Sequence, residues 1–420
     1  MSQLKVLVVG ASIAGPMAAY WFAKAGAKVT VIERFPHLRT NGQDVDIRTV
    51  GVTVMRKIPG MEEAVRTKTT PLEGMAFVRA DGRPYGILRP TGNPDQQSLV
   101  SEYEILRGDL AQILFDLTKS NENINYVFGE QIVAIQQDGQ CNGPVTVEFA
   151  NGFPTTDFDL VVACDGATSR TRAMGLGCGI RDYVVSQNSW AAYFSIPQDL
   201  LAGSKIGAAY SAVGGRFIGV GPGPSGMNQV TLMHILPRNN RDETLAFREA
   251  KKRGDDSLKE FIAQLYTGAG WKCDEVIKSM MGAGDFYASE LVQVKVPSLY
   301  KGRFVLVGDA GYAGSPGSGT SLAMAGAYVL AGEVCKHRGS LEAALLGYEK
   351  TMRPLIDDMQ KMPPLIPTMM APQTSWGVWL RNMIFAFVCW TRIIEFSQRF
   401  FAASFSNSDD YFLPEYKWMA

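Results

Sequence analysis

Residues 4–34 read LKVLVVGASIAGPMAAYWFAKAGAKVTVIER, and this stretch decides the fold. The apolar run at residues 5–9 predicts a buried parallel strand, and the alanine-rich run that follows predicts a helix to about Ala25. Gly26 ends this helix, and residues 28–32 predict a second apolar strand. The stretch is therefore predicted to form a βαβ unit with a glycine turn at its first crossover.

The turn between the first strand and the helix is predicted to bind a dinucleotide. Its sequence is Gly-Ala-Ser-Ile-Ala-Gly, in which Gly10 permits the tight turn, Gly15 lets the helix pack closely, and Ser12 replaces the usual middle glycine. The free N–H groups at the start of the helix, around Ala14, would face a pyrophosphate. Glu33 ends the second strand and is placed to accept hydrogen bonds from a ribose hydroxyl. A plain strand–turn–helix crossover would leave this glutamate unexplained.

The composition is that of an ordinary folded protein without a dominant charge. The chain has 420 residues, enough for two or three domains or for one elaborate domain, and 46% of them are hydrophobic. Lysine plus arginine equals aspartate plus glutamate at 41 each. This balance gives no reason to expect a nucleic-acid partner or attraction to an anionic membrane.

Cysteine and histidine spacing argues against a disulfide framework and against a metal centre. The six cysteines lie far apart and form no Cys-x-x-Cys pair, which is typical of reduced thiols in a cytosolic protein. The three histidines are not spaced as metal ligands. Because the first predicted strand begins within a few residues of the N-terminus, we expect no signal peptide and a cytoplasmic protein.

After the first unit, the chain is predicted to leave the dinucleotide fold and to return. A hairpin is predicted to turn at Asp81-Gly82, and residues 104–119 predict an amphipathic helix with Arg107 on its first turn. Residues 159–164 predict a strand that returns to the main sheet and runs into Asp165-Gly166. Strands of a small antiparallel meander are predicted at residues 125–128, 131–137 and 146–149.

The chain is then predicted to leave the dinucleotide fold a second time, for about 110 residues. Residues 190–236 are β-rich and low in charge, and residues 242–266 predict a charged helix across the back of a sheet. The chain returns through strands at residues 286–296 and 304–307, the second of which ends in Gly308-Asp309. Helices are predicted at residues 321–334 and 341–359.

Three motifs that lie far apart in the sequence can be considered together. They are the glycine turn with Glu33, Asp165-Gly166, and Gly308-Asp309 followed by Pro-Gly-Ser-Gly at residues 316–319. Together they resemble the class A (single-component) flavin-dependent monooxygenases that hydroxylate aromatic compounds, a family that includes the tetracycline-inactivating enzymes. The resemblance covers residues 4–60, 100–175 and 285–355 and implies an α/β fold. Such a fold has a Rossmann-like FAD-binding domain with a βαβ unit of the glutathione-reductase type, an inserted β-sheet substrate domain and a helical C-terminal region.

The resemblance also implies a domain division. The FAD-binding domain would be discontinuous, with the inserted segments forming the substrate layer over the flavin. The expected boundaries are residues 1–70, 101–179 and 286–340 for the FAD-binding domain, 71–100 and 180–285 for the substrate-binding domain, and 341–420 for the helical C-terminal region.

Individual residues take their expected roles from the same resemblance. The family's aspartate at the position of Asp309 binds the ribityl chain of FAD, and its helix arginine, matched by Arg107, contacts FAD. Asp165-Gly166 matches a motif assigned to FAD and to NAD(P)H. The alternatives are an N-cap for Asp309, a solvated charge for Arg107 and a plain turn at Asp165-Gly166. Arg48 and Asp46 fall where the family keeps polar residues beside the flavin, or else on a surface loop. The implied cofactor-binding set is Gly10, Ser12, Ala14, Gly15, Glu33, Arg34, Arg48, Arg107, Asp165, Gly166, Gly308, Asp309, Pro316, Gly317, Gly319 and Thr320.

The chain departs from the family pattern at three places. The loop at residues 316–319 is two residues shorter than the common Pro-x-x-Gly-x-Gly. Tyr312 stands where histidine is frequent, and Gly326 stands where many members carry aspartate. The shortened loop puts the oxygen pocket beside the flavin in doubt, whereas the other FAD contacts lie elsewhere.

The resemblance implies an NAD(P)H- and O2-dependent monooxygenase acting through a flavin C4a-hydroperoxide. Because no second glycine-rich βαβ unit is present, NAD(P)H is expected as a transient co-substrate. The inserted segments are aromatic and low in charge, which suits a bulky, mostly apolar aromatic, polyketide, indole or terpenoid-type molecule that is hydroxylated or epoxidised. One alternative is an FAD-binding cyclase, isomerase or dehydrogenase in which the flavin transfers no oxygen. Another is a flavin-binding module without enzymatic activity.

No general base stands out in the sequence. The candidates are Arg48 beside the flavin, and Tyr210, His234 and Tyr193 on the inserted β region. Packing within a sheet would equally explain the last three residues. The catalytic residue is therefore left open.

The tail at residues 362–405 is rich in proline and methionine and then strongly aromatic. Charged residues interrupt it at Arg381, Arg392, Glu395 and Arg399, so it has no apolar stretch long enough for a spanning helix. We expect it to pack across the substrate domain. Peripheral membrane contact and a dimer face are the alternatives.

Overall fold

The computed structural model describes residues 3–39, 42–89, 101–138, 143–223, 226–237, 244–314, 317–361, 365–391 and 412–418. Pro316, Cys141, Arg392, Glu395 and Arg399 lie outside these residues, as does the stretch 90–100 of the expected substrate layer.

Strands and helices are interspersed along the described part of the chain. The strands are β1 (Lys5–Val9), β2 (Lys28–Glu33), β3 (Asp44–Asp46), β4 (Gly74–Val78), β5 (Pro84–Leu88), β6 (Glu104–Leu106), β7 (Ile124–Phe128), β8 (Ile132–Gln136), β9 (Val145–Phe149), β10 (Thr156–Phe158), β11 (Leu160–Ala163), β12 (Val184–Ile196), β13 (Ile206–Ala212), β14 (Arg216–Pro222), β15 (Asn228–Ile235), β16 (Tyr287–Val294), β17 (Tyr300–Lys301) and β18 (Phe304–Leu306). The helices are α1 (Ala14–Lys24), α2 (Val50–Arg56), α3 (Met61–Arg66), α4 (Arg107–Thr118), α5 (Arg170–Leu176), α6 (Leu245–Lys252), α7 (Asp255–Tyr266), α8 (Cys273–Gly282), α9 (Asp309–Tyr312), α10 (Gly319–Lys336), α11 (Leu341–Met359), α12 (Leu365–Met370) and α13 (Ser375–Trp390).

A six-stranded sheet in the order β17-β18-β11-β1-β2-β7 carries the predicted βαβ unit. All neighbouring strands in it are parallel except β17 and β18. Both faces are covered, so Val6, Leu7 and Val8 in β1 have no exposed surface. Trp21 and Phe22 in α1 are equally buried, and each such side chain contributes about 2 kcal/mol to stability. The prediction for residues 4–34 is confirmed.

Two local predictions are wrong because strand pairing depends on distant partners. Residues 125–128 do not belong to an antiparallel meander, since β7 pairs in parallel with β2 at the edge of the six-stranded sheet. The antiparallel sheet consists of β8, β9 and the unpredicted β10. The helix predicted over residues 104–119 begins only at Arg107, because Glu104–Leu106 pairs with β3 in a two-stranded ribbon.

A seven-stranded mixed sheet in the order β16-β12-β15-β14-β13-β4-β5 forms the second layer. The predicted hairpin at Asp81-Gly82 supplies β4 and β5 at its edge. The charged helix predicted over residues 242–266 is two helices, α6 and α7, and α8 is an additional helix that the sequence pattern does not predict. Residues 242 and 243 lie outside the described part of the chain.

Side chains alternate between the two faces of this sheet and bury different cores. One face packs on α6, α7 and α8 through residues such as Trp190, Leu232 and Ile262. The other face carries Met233 and Phe217 and packs against the segment that leads into α13. A residue's position in the alternation therefore decides whether it meets the helices or the opposite layer.

The C-terminal helix α13 packs on the edge of the seven-stranded sheet, as expected for the tail. The ring of Phe385 meets that of Phe77 at 5.0 Å between centroids, and the buried guanidinium of Arg381 lies 3.9 Å from the Phe77 ring. Arg381 also donates a hydrogen bond to the carbonyl oxygen of Met369 at 3.0 Å, which ties α13 to α12. None of the helices described is both long enough and apolar enough to cross a bilayer.

Candidate cofactor site

The glycine turn after β1 leaves no room for side chains at its two glycines. Gly10 has a φ of 105°, and a Cβ atom there would lie 2.8 Å from the carbonyl oxygen of Cys164. A Cβ atom on Gly15 would lie 1.8 Å from the carbonyl oxygen of Gly10. Both contacts are shorter than any non-bonded carbon–oxygen contact allows, so the turn and the close helix–strand packing require glycine.

Glu33 holds the same turn from the end of β2. Its side chain is buried, and its Oε2 atom accepts a hydrogen bond from the N–H of Ala11 at 2.9 Å. Oε1 accepts a second bond from the N–H of Phe35 at 3.2 Å. A carboxylate has about four lone-pair sites, so Glu33 keeps acceptor capacity for a ribose hydroxyl. Arg34 is exposed, and its guanidinium stacks on the Phe35 ring at 4.9 Å.

Arg107 reaches the glycine turn from the first residue of α4. Its Nη2 atom donates to the hydroxyl oxygen of Ser12 at 2.7 Å, and its backbone N–H donates to the carbonyl oxygen of Gln43 at 3.0 Å. The serine that replaces the middle glycine is therefore the residue that meets this arginine. The arrangement places a fixed positive charge at the helix N-terminus where a pyrophosphate would bind.

Arg39 is a second cation at this place, and sequence reasoning missed it. Burial lowers the pKa of its guanidinium, and the neighbouring Arg107 lowers it further, while Glu33 and Tyr287 raise it. Arg39 thus lies among groups from β2, α4 and β16. Nothing in the sequence distinguishes it from Arg34, which follows the same strand and points to solvent.

Asp309, at the start of α9, faces the gap between the N-termini of α1 and α10. The residue is exposed to solvent, while desolvation by the surrounding protein raises the pKa of its carboxyl group and Arg107 opposes that rise. It makes no side-chain cap for α9, and no described residue donates a hydrogen bond to it. Gly319 lies close enough that a Cβ atom there would be 3.3 Å from Oδ1. An exposed carboxylate without a protein donor keeps its full acceptor capacity for the hydroxyl groups of a ligand.

The carboxylate of Asp165 accepts hydrogen bonds from the protein, unlike that of Asp309. Oδ1 accepts a hydrogen bond from the hydroxyl of Ser169, and Oδ2 accepts from the N–H and the hydroxyl of Thr171 at 3.2 and 2.9 Å. Its carboxylate therefore serves the first turn of α5. Gly166 has a φ of 89°, which favours glycine, and the backbone of Asp165 abuts Gly10.

Arg48 lies at the other end of the site, beside the loop that leads into α10. Its N–H donates to the hydroxyl of Ser321 at 2.9 Å, and its guanidinium forms an ion pair with Asp46 at 3.1 Å. A Cβ atom on Gly317 would lie 3.5 Å from Asp46 Oδ2. Arg48 and Asp46 are therefore not on a surface loop, and Thr320 belongs to the same first turn of α10.

Three carboxyl groups share one face of the β3–β6 ribbon. Asp46 pairs directly across from Glu104, and Asp44 lies two residues along on the same side. Burial raises the pKa of Glu104 to about 8, with Asp44 and Asp46 adding to the rise and the hydroxyl of Thr70 opposing it. Burial and Asp46 raise the pKa of Asp44 to about 6. At neutral pH the ribbon therefore holds a proton on Glu104 beside the site.

This proton makes stability depend on pH. The pKa of Glu104 rises from 4.5 in the unfolded chain to about 8 in the fold. The folded state thus holds more protons between these values, and stability falls as the pH rises through that window. We expect a loss on the order of 3 kcal/mol between pH 5 and pH 8.5. Glu104→Gln, which mimics the protonated acid, should flatten the dependence, as measured by urea unfolding.

The matched control for this measurement is Glu73→Gln. Glu73 is exposed and forms a surface ion pair with Lys205, which contributes little to stability. Its variant should keep the wild-type pH dependence. Parallel curves for wild type and Glu104→Gln would show that Glu104 does not hold the proton.

Tyr210 and His234, two candidates for a base, lie on the wrong face of the seven-stranded sheet. His234 meets the Trp190 ring at 5.6 Å, and its Nε2–H donates to the carbonyl oxygen of Gly214 at 3.0 Å. Burial lowers its pKa. Tyr210 packs against Trp271 at 5.9 Å, beside α8. Both even-numbered positions point to the helix layer, so neither residue reaches the cofactor side.

Tyr193 lies on the opposite face from these two residues. Its ring stacks with that of Tyr287 at 6.5 Å, and it lies near Asp44 on the ribbon. Tyr287 in turn lies near Arg39. Of the three candidates on the inserted sheet, only Tyr193 faces the layer that holds the glycine turn.

Tyr312 and Gly326, two of the three departures from the family pattern, lie in contact with each other. A Cβ atom on Gly326 would lie 1.8 Å from the hydroxyl oxygen of Tyr312. That hydroxyl is 3.1 Å from the hydroxyl of Tyr348, which donates to the carbonyl oxygen of Leu306 at 2.8 Å. The tyrosine therefore occupies the space that a side chain at position 326 would need, and the two departures form one coupled change.

Together the fold and the site define a flavoprotein of the dinucleotide-binding type. The glycine turn, Glu33, Arg107 and Asp309 offer the N–H donors, the acceptors and the positive charge that the pyrophosphate, ribose and ribityl groups of FAD would need. The chain belongs to the family described as FAD binding domain, whose model matches residues 3–360, and it is an FAD-dependent monooxygenase.

Two relatives are described as monooxygenases. The chain is 33% identical to the FAD-dependent monooxygenase asL4 of Sarocladium schorii over 420 aligned residues. The alignment covers 94% of each chain. It is 31% identical over 401 residues to the monooxygenase CTB7 of Cercospora beticola, covering 93% of this chain and 94% of that protein.

Solved structures share the architecture over almost the whole length. The tetracycline destructase Tet(51) aligns with a TM-score of 0.76 and 26% identity, covering 99% of this chain and 100% of the other. HpxO of Klebsiella pneumoniae, solved with FAD and uric acid, aligns with a TM-score of 0.70 and 20% identity, covering 96% and 97%. The second similarity shows the fold alone. The predicted fold class and FAD are confirmed.

Proposed function

We propose that this monooxygenase uses NAD(P)H and O2 to hydroxylate or epoxidise a bulky, mostly apolar small molecule of the aromatic, polyketide, indole or terpenoid type. The observation that carries the proposal is the apolar face of the seven-stranded sheet opposite the cofactor groups. Met233 and Phe217 are buried on this face, and Tyr193 with Tyr287 forms an aromatic pair near Asp44 and Arg39. Tyr193 and Tyr287 are only partly buried, so this aromatic pair would be able to contact flat apolar rings with few directed polar contacts.

FAD would supply the redox chemistry and the activation of oxygen, and the chain's residues would supply binding and orientation. Arg107 and the N-terminus of α1 would hold the pyrophosphate, and Asp309 the ribityl hydroxyls. The N-terminus of α10 after Gly317 would favour negative charge at the ring end. The apolar sheet face would exclude water from the reacting groups. NAD(P)H would bind transiently.

The proposed division of labour follows the two large sheets. Residues 1–70, 101–179 and 286–340 would bind FAD, residues 71–100 and 180–285 would bind substrate, and residues 341–420 would form the C-terminal helical region. The separate cores on the two faces of the seven-stranded sheet support a substrate layer with its own packing.

The test is oxidation of NADH and NADPH by the FAD-loaded protein, with oxygen uptake and product masses recorded in parallel. The probes are tetracycline, simple phenolic polyketides and indoles, each compared with buffer alone. We expect at least one probe to stimulate NAD(P)H oxidation by about tenfold or more and to gain one oxygen atom. Bound FAD without NAD(P)H oxidation under any probe would contradict the proposal and favour a cyclase, isomerase or dehydrogenase.

The outward face of α13 is proposed as a contact surface, either for a membrane or for a second copy of the chain. Trp376, Trp379, Phe387 and Trp390 recur at helical spacing and are between 55% and 80% exposed. An apolar stripe of this kind on a helix is typical of a contact surface. Co-sedimentation with lipid vesicles and the molecular mass in solution distinguish the two occupants. A cytoplasmic location is also proposed, on the basis of the five described cysteines, all unpaired.

A further inference from the structure

Residues 412–418 lie across the ends of α1 and α10, far along the chain from the cofactor loops. Tyr416 is buried, and its hydroxyl donates to Oε1 of Glu333 at 2.8 Å. Its ring fills a notch at Gly332, where a Cβ atom would lie 2.1 Å from the ring. Trp418 packs on the ring of Trp21 at 4.8 Å between centroids. We call residues 412–418 the C-terminal clamp.

Further contacts fix the clamp along its length. The hydroxyl of Tyr328 donates to the carbonyl oxygen of Pro414 at 2.8 Å, and the thiol of Cys335 donates to that of Lys417 at 3.3 Å. Lys57, just after α2, forms an ion pair with Glu415. The clamp therefore joins three helices that carry or contact the cofactor loops.

Glu333 is the buried anchor of this arrangement. Its side chain is only 2% exposed, and it accepts the Tyr416 hydroxyl while Lys336 and His337 each approach it at 3.3 Å. A buried carboxylate is costly without such partners. Removing the Tyr416 hydroxyl would take one of them away. The position of Tyr416 is thus specified by polar as well as apolar contacts.

The two helices joined by the clamp both begin at the cofactor site. α1 follows the glycine turn, and α10 follows Gly317. The clamp contacts α1 at Trp21 and α10 at Gly332, about 10 Å and 20 Å along the helices from their first residues. At the other end the helices meet around Gly308, where a Cβ atom would lie 3.1 Å from Cβ of Ala14 and 3.3 Å from Cβ of Ala323.

This geometry couples the two ends. α1 and α10 pack against each other along their length, and the rings of Trp21 and Tyr328 meet edge to face at 4.9 Å. Close-packed helices transmit small displacements because the interior has few voids. Because the packing around Gly308 leaves no free space, a change in the spacing of α1 and α10 at the clamp must alter the gap that Asp309 faces.

We propose that the C-terminal clamp sets the spacing of α1 and α10 and thereby positions the two loops that hold FAD. Tyr416 and Trp418 are positioning residues, acting on the cofactor through the helices and not by contact. The affinity for FAD therefore depends on a segment that lies outside the cofactor site.

The test is FAD affinity, measured by titration of the apoprotein, in a chain that ends at residue 411. We expect the dissociation constant to rise at least tenfold. Added in trans, the peptide FLPEYKWMA, which corresponds to residues 412–420, should restore most of the affinity. The same peptide with Tyr416→Phe and Trp418→Ala should not. Unchanged FAD affinity in the shortened chain would overturn the proposal.

Full-length Trp418→Ala and Tyr416→Phe keep the test valid if the shortened chain does not fold. Both should bind FAD more weakly than wild type. The matched control is Leu258→Ala, which destabilises the separate core of the helix layer, where Leu258 is buried. At equal loss of unfolding stability, Leu258→Ala should retain wild-type FAD affinity. If Leu258→Ala lost as much FAD affinity as the clamp variants, the clamp would act only through general stability, and the proposal would be overturned.

Discussion

Replacing Asp309 with alanine yields a colourless protein that folds but does not retain FAD through purification. Asp309 is an acceptor with no donor among the described residues, so the variant removes no internal hydrogen bond from the fold. It does remove the acceptor for ligand hydroxyls. Two hydrogen bonds to a charged group contribute about 3 to 4 kcal/mol, so the dissociation constant for FAD should rise by about 100-fold or more.

The measurement combines the visible flavin absorbance of the purified protein with FAD titration of the apoprotein. Circular dichroism checks that the variant folds. Asp256→Ala, at an exposed position in α7, is the surface control and should remain yellow. An Asp309→Ala protein that stays yellow with an unchanged dissociation constant would show that the ribityl assignment is wrong.

Gly326→Ala should destabilise the protein by about 3 kcal/mol, although the same change within a helix ordinarily stabilises it. The new Cβ atom would lie 1.8 Å from the hydroxyl oxygen of Tyr312, which is buried and bonded to Tyr348. In a Tyr312→Phe background the contact with the hydroxyl is gone, and the tightest remaining contact is with Cζ of the ring at 3.0 Å. The cost of Gly326→Ala should then fall by about 2 kcal/mol, a coupling measured by urea unfolding of all four proteins.

Gly282→Ala supplies the matched control for this cycle. Gly282 ends α8, and a Cβ atom there would meet nothing within 4 Å. The Gly282→Ala change should leave the free energy of unfolding unchanged or raise it slightly in both backgrounds. Additive effects of Gly326→Ala and Tyr312→Phe would contradict the view that these two departures from the family pattern are one change.

The parts of this molecule that follow local rules could be predicted from the sequence. The βαβ unit of residues 4–34 is one, since strand, glycine turn and helix are each specified by neighbouring residues. The buried strand that leads into Gly308-Asp309 is another, because its short apolar run predicts it. The hairpin at Asp81-Gly82 and the two long helices α10 and α11 are predictable for the same reason.

The rest depends on contacts between distant residues, which periodicity does not encode. β7 joins the parallel sheet and Glu104–Leu106 forms a strand because partners elsewhere in the chain are available. Arg39 reaches the site while Arg34 points to solvent, although both follow β2. The clamp at residues 412–418 has no periodic pattern at all.

Two of the candidates for a base lie on the helix side of the sheet for a simple geometric reason. Tyr210 and His234 have suitable chemistry, but the period of two along a strand sends them to the helix layer. Tyr193, at an odd position on β12, faces the other way. Deciding between the faces from sequence alone requires knowing which side the helices cover, and the sequence pattern does not predict α8.

The alternation along β12, β14 and β15 has an evolutionary consequence. Positions that face α6, α7 and α8 are held by a packed core, so mutations there are selected mainly for stability. Positions such as Tyr193, Phe217 and Met233 belong to the other core, so exchanges among them alter that packing while the helix layer stays intact. One strand can thus diversify its chemistry on one side while conserving its architecture on the other.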